Sequence, residues 1–351
     1  MASTLSGLCL AQGLPAKQRP ASAAATETAP ATFLYADHPE AMTFAVDLAM
    51  RRDLNPEWTR QQIAQAERLP QAIRLMRPAP RGTPKNWAAY RARFIEPVRI
   101  EAGRQFWLEN RAWLEQAQSR FGVPASLIVG VIGVETLYGQ HTGNFRVIDA
   151  LTTLAFDFPA EHPRAQERSE FFRSELEQFL SLTQRSGVDP QSLLGSYAGA
   201  MGWPQFMPSS WAKYAIDFDG DGRIDLFNSK ADVIGSVANY FVAHGWQPDM
   251  PTHYPVSLNS DAAQLDRLLA PDILPTFSVA SFAAQGARLE GAALQHTGKL
   301  ALVELENGAA PRSYVAGTEN FYTVTRYNWS SYYAMAVIEL GQTIAVQLQG
   351  R

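Results

Sequence analysis

Apolar residues fall at helical spacing over residues 41–52 and 56–67, and the second run carries acidic Glu57 near its start, where a helix dipole favours negative charge. Prolines at 70, 78, 80 and 84 interrupt the pattern, after which 84–121 reads as one or two further helices. The segment from Val123 to Gly139 differs in kind. It is apolar on nearly every face, opened by Pro124 and closed by Gly139, and predicts a helix buried in the interior. Glu135 lies on the same stripe as Ile128, Val131 and Ile132. Burial disfavours the charged form of a carboxylate and raises its pKa, which keeps an acid protonated near neutral pH for general acid catalysis. A glutamate that pairs with an arginine or caps a backbone group reads about equally well at this point.

Helical spacing returns over 168–183 and 191–197, Gly199, Gly202 and Pro204 then make an irregular loop, and 231–244 predicts another helix. Beyond residue 253 short β-prone runs at 300–305, 313–316 and 321–325, separated by glycine-containing turns, predict a small β-rich lobe. A helical pattern over 332–348 ends the chain, and no internal repeat is present. The expected organisation is mainly α (α+β). A leader (1–40) precedes an N-terminal helical lobe (41–84), a central unit (85–250), a β-rich lobe (251–326) and a C-terminal helix (327–351) that packs back on the centre.

With 351 residues, 46% hydrophobic and 18% charged, the chain can bury a large core and divide into two or three lobes. A net charge of −4 supplies no basic footprint, so nucleic acid is set aside as a partner. The eight Trp, twelve Tyr and eighteen Phe suit stacking on sugar rings, although core packing accounts for most of them. A single cysteine, Cys9, excludes an internal disulfide framework. Residues 15–32 collapse to Ala, Pro, Ser and Thr and read as a flexible leader. Residues 5–16 are mildly apolar but lack a basic start, and Leu8 stands where a lipoprotein signal needs a small residue, so the export signal is at best a remnant. No stretch is long and apolar enough to span a bilayer.

Two further segments carry chemistry. Asp217, Asp219 and Asp221, with Gly222 at position 6 and Ile224 at position 8, match the start of an EF-hand calcium loop, in which Arg223 would offer its carbonyl. Position 12 is Asn228, and the nearest suitable carboxylate is Asp232, so the loop has to be longer than the standard one; a solvated Asp/Gly turn without metal is the alternative. A single such loop suits a structural role rather than a switch. The run from Gly195 to Trp211 is rich in small, aromatic and amide residues, as cleft-lining loops are, with Ser196 and Gln205 able to bond sugar hydroxyls and Phe206 and Trp211 able to form walls. The six histidines show no metal-ligand spacing, and no nucleophile elbow or phosphate loop occurs.

Taken together, Gly133-Val134-Glu135-Thr136, Gly199-Ala200-Met201-Gly202, Gln205 to Ser210, Asp217 to Gly222 and Gly235 to Phe241 resemble the membrane-bound lytic transglycosylase B family, glycoside hydrolase family 103, from about Phe44 to the C-terminus. The resemblance implies a lysozyme-like helical core and cleavage of the β-1,4 bond between N-acetylmuramic acid and N-acetylglucosamine, with a 1,6-anhydromuramic end as product. Glu135 matches the family's single catalytic acid/base. Tyr90, Arg168, Ser196, Gln205, Phe206, Tyr240, Tyr327, Asn328 and Tyr333 match residues of its sugar cleft, and Asp217, Asp219, Asp221, Arg223 and Asp232 match its calcium ligands. The chain departs from the pattern in three places: Phe171 stands for a cleft tyrosine, 159–167 is longer, and one extra residue precedes Asp232.

The resemblance further implies peptidoglycan glycan strands as partner, with cell-wall synthesis enzymes as candidates, and a monomer in the periplasm, with peripheral outer-membrane association as an option. No cofactor is expected for the chemistry, and Ca2+ is expected in a structural role. A hydrolytic muramidase and a non-catalytic wall-binding protein remain the rival readings.

Overall fold

The computed structural model describes residues 33–78 and 85–350. Residues 1–32 of the expected leader, with Cys9, and Pro80 and Pro84 lie outside the described residues. Residues 33–40 are structured: Leu34 bridges to Glu67, Tyr35 is fully buried and Pro39 opens the first helix.

Proline at the first helical position forfeits no hydrogen bond and arrives with its φ preset. Pro39, Pro56 and Pro70 accordingly open α1 (Pro39–Arg52), α2 (Pro56–Ala64) and α3 (Pro70–Leu75), so Pro70 starts a short helix rather than merely breaking one. α4 (Trp87–Arg91), α5 (Pro97–Glu109) and α6 (Arg111–Phe121) follow, and left-handed Gly122 ends the last of them. In α7 (Ala125–Thr136) every residue except Ser126 is buried, as a helix apolar all round requires.

β1 (Phe145–Arg146) leads into α8 (Val147–Phe156) and the long α9 (Ala165–Ser186), after which β2 (Leu194–Gly195) pairs back antiparallel on β1. The helix expected over 191–197 is therefore absent. Asp189 draws the Gln191 N–H to its carboxylate and the Ser192 hydroxyl to its carbonyl, a local turn that outcompetes helix formation. α10 (Pro208–Tyr214) and α11 (Lys230–Ala243) complete the central helices, Ser229 capping the latter.

The C-terminal third contains β3 (His253–Pro255), β4 (Ser257–Leu258), α12 (Ala262–Leu269), α13 (Val279–Ala284), β5 (Ala287–Arg288), β6 (Ala301–Asn307) and β7 (Ala310–Gly317). The main sheet is antiparallel in the order β3-β7-β6, with Tyr254 and Leu302 on either side of Ala316, and β4 pairs with β5. The run 321–325, expected as a strand, lies in α14 (Glu319–Thr325). Thr318 caps that helix by accepting the N–H groups of Asn320 and Phe321, and the cap overrides the β propensity of the sequence. α15 (Ser331–Gln349) ends the described chain.

Apolar side chains gather in three clusters. One joins α7 with α11, α15 and one face of β6; a second joins α1–α3 with α8 and α9; a third, around Leu268, Phe282 and Leu302, lies under the strands. α7 and α15 touch through their backbones: a Cβ on Gly130 would lie 2.1 Å from the Val337 carbonyl oxygen, and one on Gly341 would lie 1.9 Å from that of Ser126. This close approach fixes Glu135 on α7 against the first turn of α15.

Candidate active site

Glu135 is the penultimate residue of α7 and only 7% exposed. Tyr333, in the first turn of α15, donates its hydroxyl to Glu135 Oε1 at 2.5 Å, and its own backbone N–H bonds the capping Ser330. Burial pushes the Glu135 carboxyl up to about 7, the Tyr333 hydrogen bond pulls it down, and among the described residues no cation or second carboxylate contributes. Near neutral pH such a group populates both forms and can give and take a proton. Burial and the neighbouring Glu135 charge hold the Tyr333 hydroxyl well above the usual phenol range, so it stays a donor.

An aromatic wall continues from Tyr333. Tyr327 stacks on it with ring centroids 6.2 Å apart, Tyr240 lies 4.7 Å from Tyr327, and Phe206 lies 5.6 Å from Tyr240 and 5.9 Å from Tyr327. The rings are fixed at their polar ends as well: the Tyr327 hydroxyl donates to the Pro204 carbonyl and that of Tyr240 to the Arg326 carbonyl, both at 2.7 Å. Buried phenols find such partners because an unmet hydroxyl is costly.

The loop between β2 and α10 is bridged to itself at Gly195–Met201 and Met201–Phe206. Ser196 Oγ accepts the N–H groups of Ala198 and Ala200, which folds the turn. Gln205 sits at φ 52°, outside the ordinary range for a side-chain-bearing residue, and its amide donates to the Gly202 and Thr142 carbonyls at 2.9 and 3.1 Å.

The structure thus gathers Glu135, Phe206, Tyr240, Tyr327 and Tyr333 into one group of touching side chains. Tyr90 borders it, its ring edge-on to Tyr332 at 5.8 Å, and Asn328 is half-buried beside Tyr327. Arg168 stands apart on α9. Its guanidinium lies over Phe158, Phe171 and Phe172, its Nε is buried without a partner, and burial first, then Arg164, lowers its pKa. Tyr197, next to Ser196, is close enough to feel its charge.

Two supports act through main-chain carbonyls. Buried Arg99 of α5 donates to the Gly133 carbonyl, beneath the end of α7, and Thr136 Oγ1 donates to the Trp203 carbonyl at 3.0 Å, tying that end to the cleft loop. Each acts on a residue distant in the chain, which spacing along a single sequence does not reveal.

In the acidic loop the carboxylate oxygens of Asp217, Asp219 and Asp221 converge within 4.8 Å of one another. Asp217 accepts N–H groups from Gly220, Asp221 and Gly222, and the glycines take left-handed φ of 78° and 88°. Asp232 does not join this cluster. One of its oxygens accepts the Phe218 N–H and the other that of Asp225, because its place in the first turn of α11 faces the loop backbone. Burial raises the Asp232 pKa, and the charges of Asp219 and Asp217 add to the rise, so the loop has excess negative charge that a hard cation would offset.

Residues 36–342 match the Transglycosylase SLT domain family. The membrane-bound lytic murein transglycosylase B of Escherichia coli K12 is 39% identical over 322 residues, 89% of this chain and 84% of the relative. Among solved structures, soluble lytic transglycosylase SltB1 of Pseudomonas aeruginosa is 40% identical with TM-score 0.79, covering 89% of this chain and all of that one. Lytic transglycosylase Slt35 of Escherichia coli, solved in complex with calcium, is 38% identical with TM-score 0.76, covering 89% and 95%. SltB3 of Pseudomonas aeruginosa, solved in complex with NAG-anhNAM-pentapeptide, is 26% identical with TM-score 0.71, covering 87% and 79%. No single described helix is long and apolar enough to cross a membrane. A buried acid at the end of a helix, walled by aromatics in a lysozyme-like fold shared along nearly the whole chain, places this protein in the lytic transglycosylase family, the enzymes that cleave peptidoglycan.

Proposed function

We propose that Glu135 is the single general acid and base in cleavage of the β-1,4 bond between N-acetylmuramic acid and N-acetylglucosamine, and that the product carries a 1,6-anhydromuramic end. The observation that carries this reading is the setting of Glu135. It is a buried acid raised to about 7 by burial and bonded by the Tyr333 hydroxyl, and no second carboxylate among the described residues bonds to it. A two-carboxylate glycosidase needs a second acid across the scissile bond.

In the first step protonated Glu135 gives its proton to the glycosidic oxygen as the C1–O bond breaks, and N-acetylglucosamine leaves with that proton on its 4-hydroxyl. The substrate's own acetamido oxygen stabilises the positive charge at C1. In the second step the Glu135 carboxylate takes the C6 hydroxyl proton as O6 bonds to C1, which restores the acid without any water. An intramolecular nucleophile is favoured by proximity once the ring is held in place. Tyr333 positions the carboxylate. Phe206, Tyr240 and Tyr327 supply the wall for sugar faces, Ser196, Gln205, Asn328 and Tyr90 supply polar contacts, and Arg168 suits an anionic group of the substrate.

The convergent Asp217, Asp219 and Asp221, with the Arg223 carbonyl, would hold a structural Ca2+, with Asp232 bracing the loop from α11. That Slt35 was solved in complex with calcium supports a calcium site in this chain. The substrate and the membrane-bound relative support a periplasmic location with peripheral membrane attachment.

Mass spectrometry of the muropeptides released from purified peptidoglycan tests the reading. Anhydro-ended products from the wild type and none from Glu135→Gln are expected. Reducing-end products would replace it with a muramidase, and release by the variant would remove Glu135 from the chemistry.

A further inference from the structure

We propose that Glu175 is a positioning residue for substrate binding: from α9 it caps the start of α10 and so fixes the loop that carries Gln205 and Phe206. The inference rests on the reading of those two residues as sugar contacts. Glu175 is only 2% exposed and forms no ion pair among the described residues. A carboxylate taken out of water needs strong partners. Its Oε2 accepts the Ser209 N–H at 2.8 Å and its Oε1 accepts the Ser209 hydroxyl at 2.7 Å. Burial raises its pKa, against the Ser209 bonds and the Lys213 charge, which lower it.

The sequence of α10 explains why the cap comes from another helix. The residue at the capping position is Met207, whose side chain makes no cap bond, and Pro208 after it has no N–H to satisfy. The Ser209 N–H is therefore the first that needs a partner and finds none in its own helix. Glu175, 34 residues earlier in the chain, supplies it.

Position links this cap to the cleft. Phe206 and Met207 are neighbours in the chain but pack in different cores, Phe206 with α7, α11 and α15, and Met207 against the cluster of α1–α3, α8 and α9. The chain crosses between the two cores at this point, and Glu175 holds it two residues later. A shift of α10 away from α9 would carry Gln205 and Phe206 with it and move Phe206 against Tyr240 and Tyr327. The bond from Thr136 to the Trp203 carbonyl lies beyond the Met201–Phe206 bridge and keeps its own partners. The cap therefore bears on the sugar wall rather than on Glu135, and its loss should weaken binding without slowing the chemistry.

Rates of product release against the concentration of soluble glycan strands test this, measured at a temperature where circular dichroism shows every variant folded. Glu175→Leu, which keeps the bulk and loses both acceptors, should raise KM about fivefold and leave kcat within about twofold of the wild type. Glu175→Gln, whose amide oxygen can still accept the Ser209 N–H, should recover most of that loss. Ser209→Ala removes one of the two bonds and should raise KM about twofold. A cap that served stability alone would lower the melting temperature of these variants and leave KM where it was. An unchanged KM in Glu175→Leu, a loss confined to kcat, or a Glu175→Gln as impaired as Glu175→Leu would overturn the proposal. If Glu175→Leu does not fold, an unchanged KM in Ser209→Ala overturns it. Gln205→Ala separates this from the reading beneath it: an unchanged KM there removes the loop from substrate binding, whereas a raised KM there beside an unchanged one in Glu175→Leu removes the cap alone.

Discussion

Tyr333 and Glu135 are 198 residues apart in the chain and 2.5 Å apart in the fold, joined by a hydrogen bond from the phenol to the carboxylate. The bond favours the ionised form and opposes burial, which favours the neutral one. The balance near neutrality suits a group that must act first as acid and then as base.

Removing the phenol tests that balance. In Tyr333→Phe the Glu135 pKa rises, because the lost hydrogen bond was the influence lowering it. The basic limb of the pH–rate profile, where the acid form disappears, should move to higher pH, and the rate at neutral pH should fall by about tenfold through lost positioning. Rates measured from pH 4 to 10 decide the matter. A slower enzyme with an unmoved basic limb would mean that Tyr333 only packs.

Glu135 should also weaken the fold. Its carboxyl rises from 4.5 to about 7, so the folded state binds the proton more tightly than the unfolded chain does. The stability this brings is complete below the unfolded value and is lost as pH rises through the folded one. At about 1.4 kcal/mol per pH unit, ionised Glu135 costs about 3 kcal/mol. Glu135→Gln cannot ionise, so its melting temperature should match the wild type near pH 4 and exceed it by several degrees at pH 8. A difference that stays constant between those pH values would contradict a buried, titrating acid.

Glu135 was legible in the sequence because burial of α7 is written locally, in an apolar run bounded by Pro124 and Gly139. The partners were not. Phe206, Tyr240, Tyr327 and Tyr333 lie on separate elements; the composition of its loop marks Phe206 as a wall, but only the family resemblance points to Tyr240, Tyr327 and Tyr333, since periodicity assigns a residue to a face but not to a neighbour. The fold class is readable from spacing and turns, yet spacing predicts a helix at 191–197 and a strand at 321–325 where a side chain, Asp189 in one and Thr318 in the other, sets the backbone against its propensity. Arg99 and Thr136, which hold the end of α7, act through main-chain carbonyls that no side-chain pattern marks.

The acidic loop predicts a response to calcium. Three carboxylates within 4.8 Å repel one another until a cation binds, and binding to the folded state alone stabilises by mass action. At a hundredfold excess over Kd the gain is about 2.7 kcal/mol, so calcium should raise the melting temperature by several degrees over a chelator-treated sample. Asp219→Asn with Asp221→Asn should remove the response while leaving the rate of the chelated enzyme unchanged. An identical calcium response in that double variant would place the ion elsewhere.

The contact between α7 and α15 makes the sharpest structural prediction. In an open helix, replacing glycine by alanine stabilises by about 1 kcal/mol. Here the sign should reverse, because the new methyl would stand 2.1 Å from the Val337 carbonyl oxygen in Gly130→Ala and 1.9 Å from that of Ser126 in Gly341→Ala. A backbone carbonyl cannot rotate aside as a side chain can, so the helices must separate, and overpacking of this kind costs about 1–3 kcal/mol. Glu135 and Tyr333 sit on the two helices being forced apart, so their hydrogen bond should lengthen and activity should fall further than stability alone explains. Denaturant melts and rates at a temperature where both variants remain folded separate the two effects. Variants as stable as the wild type would show that the helices do not meet through their backbones, and destabilised variants with full activity per folded molecule would show that the spacing of α7 and α15 does not set the geometry at Glu135.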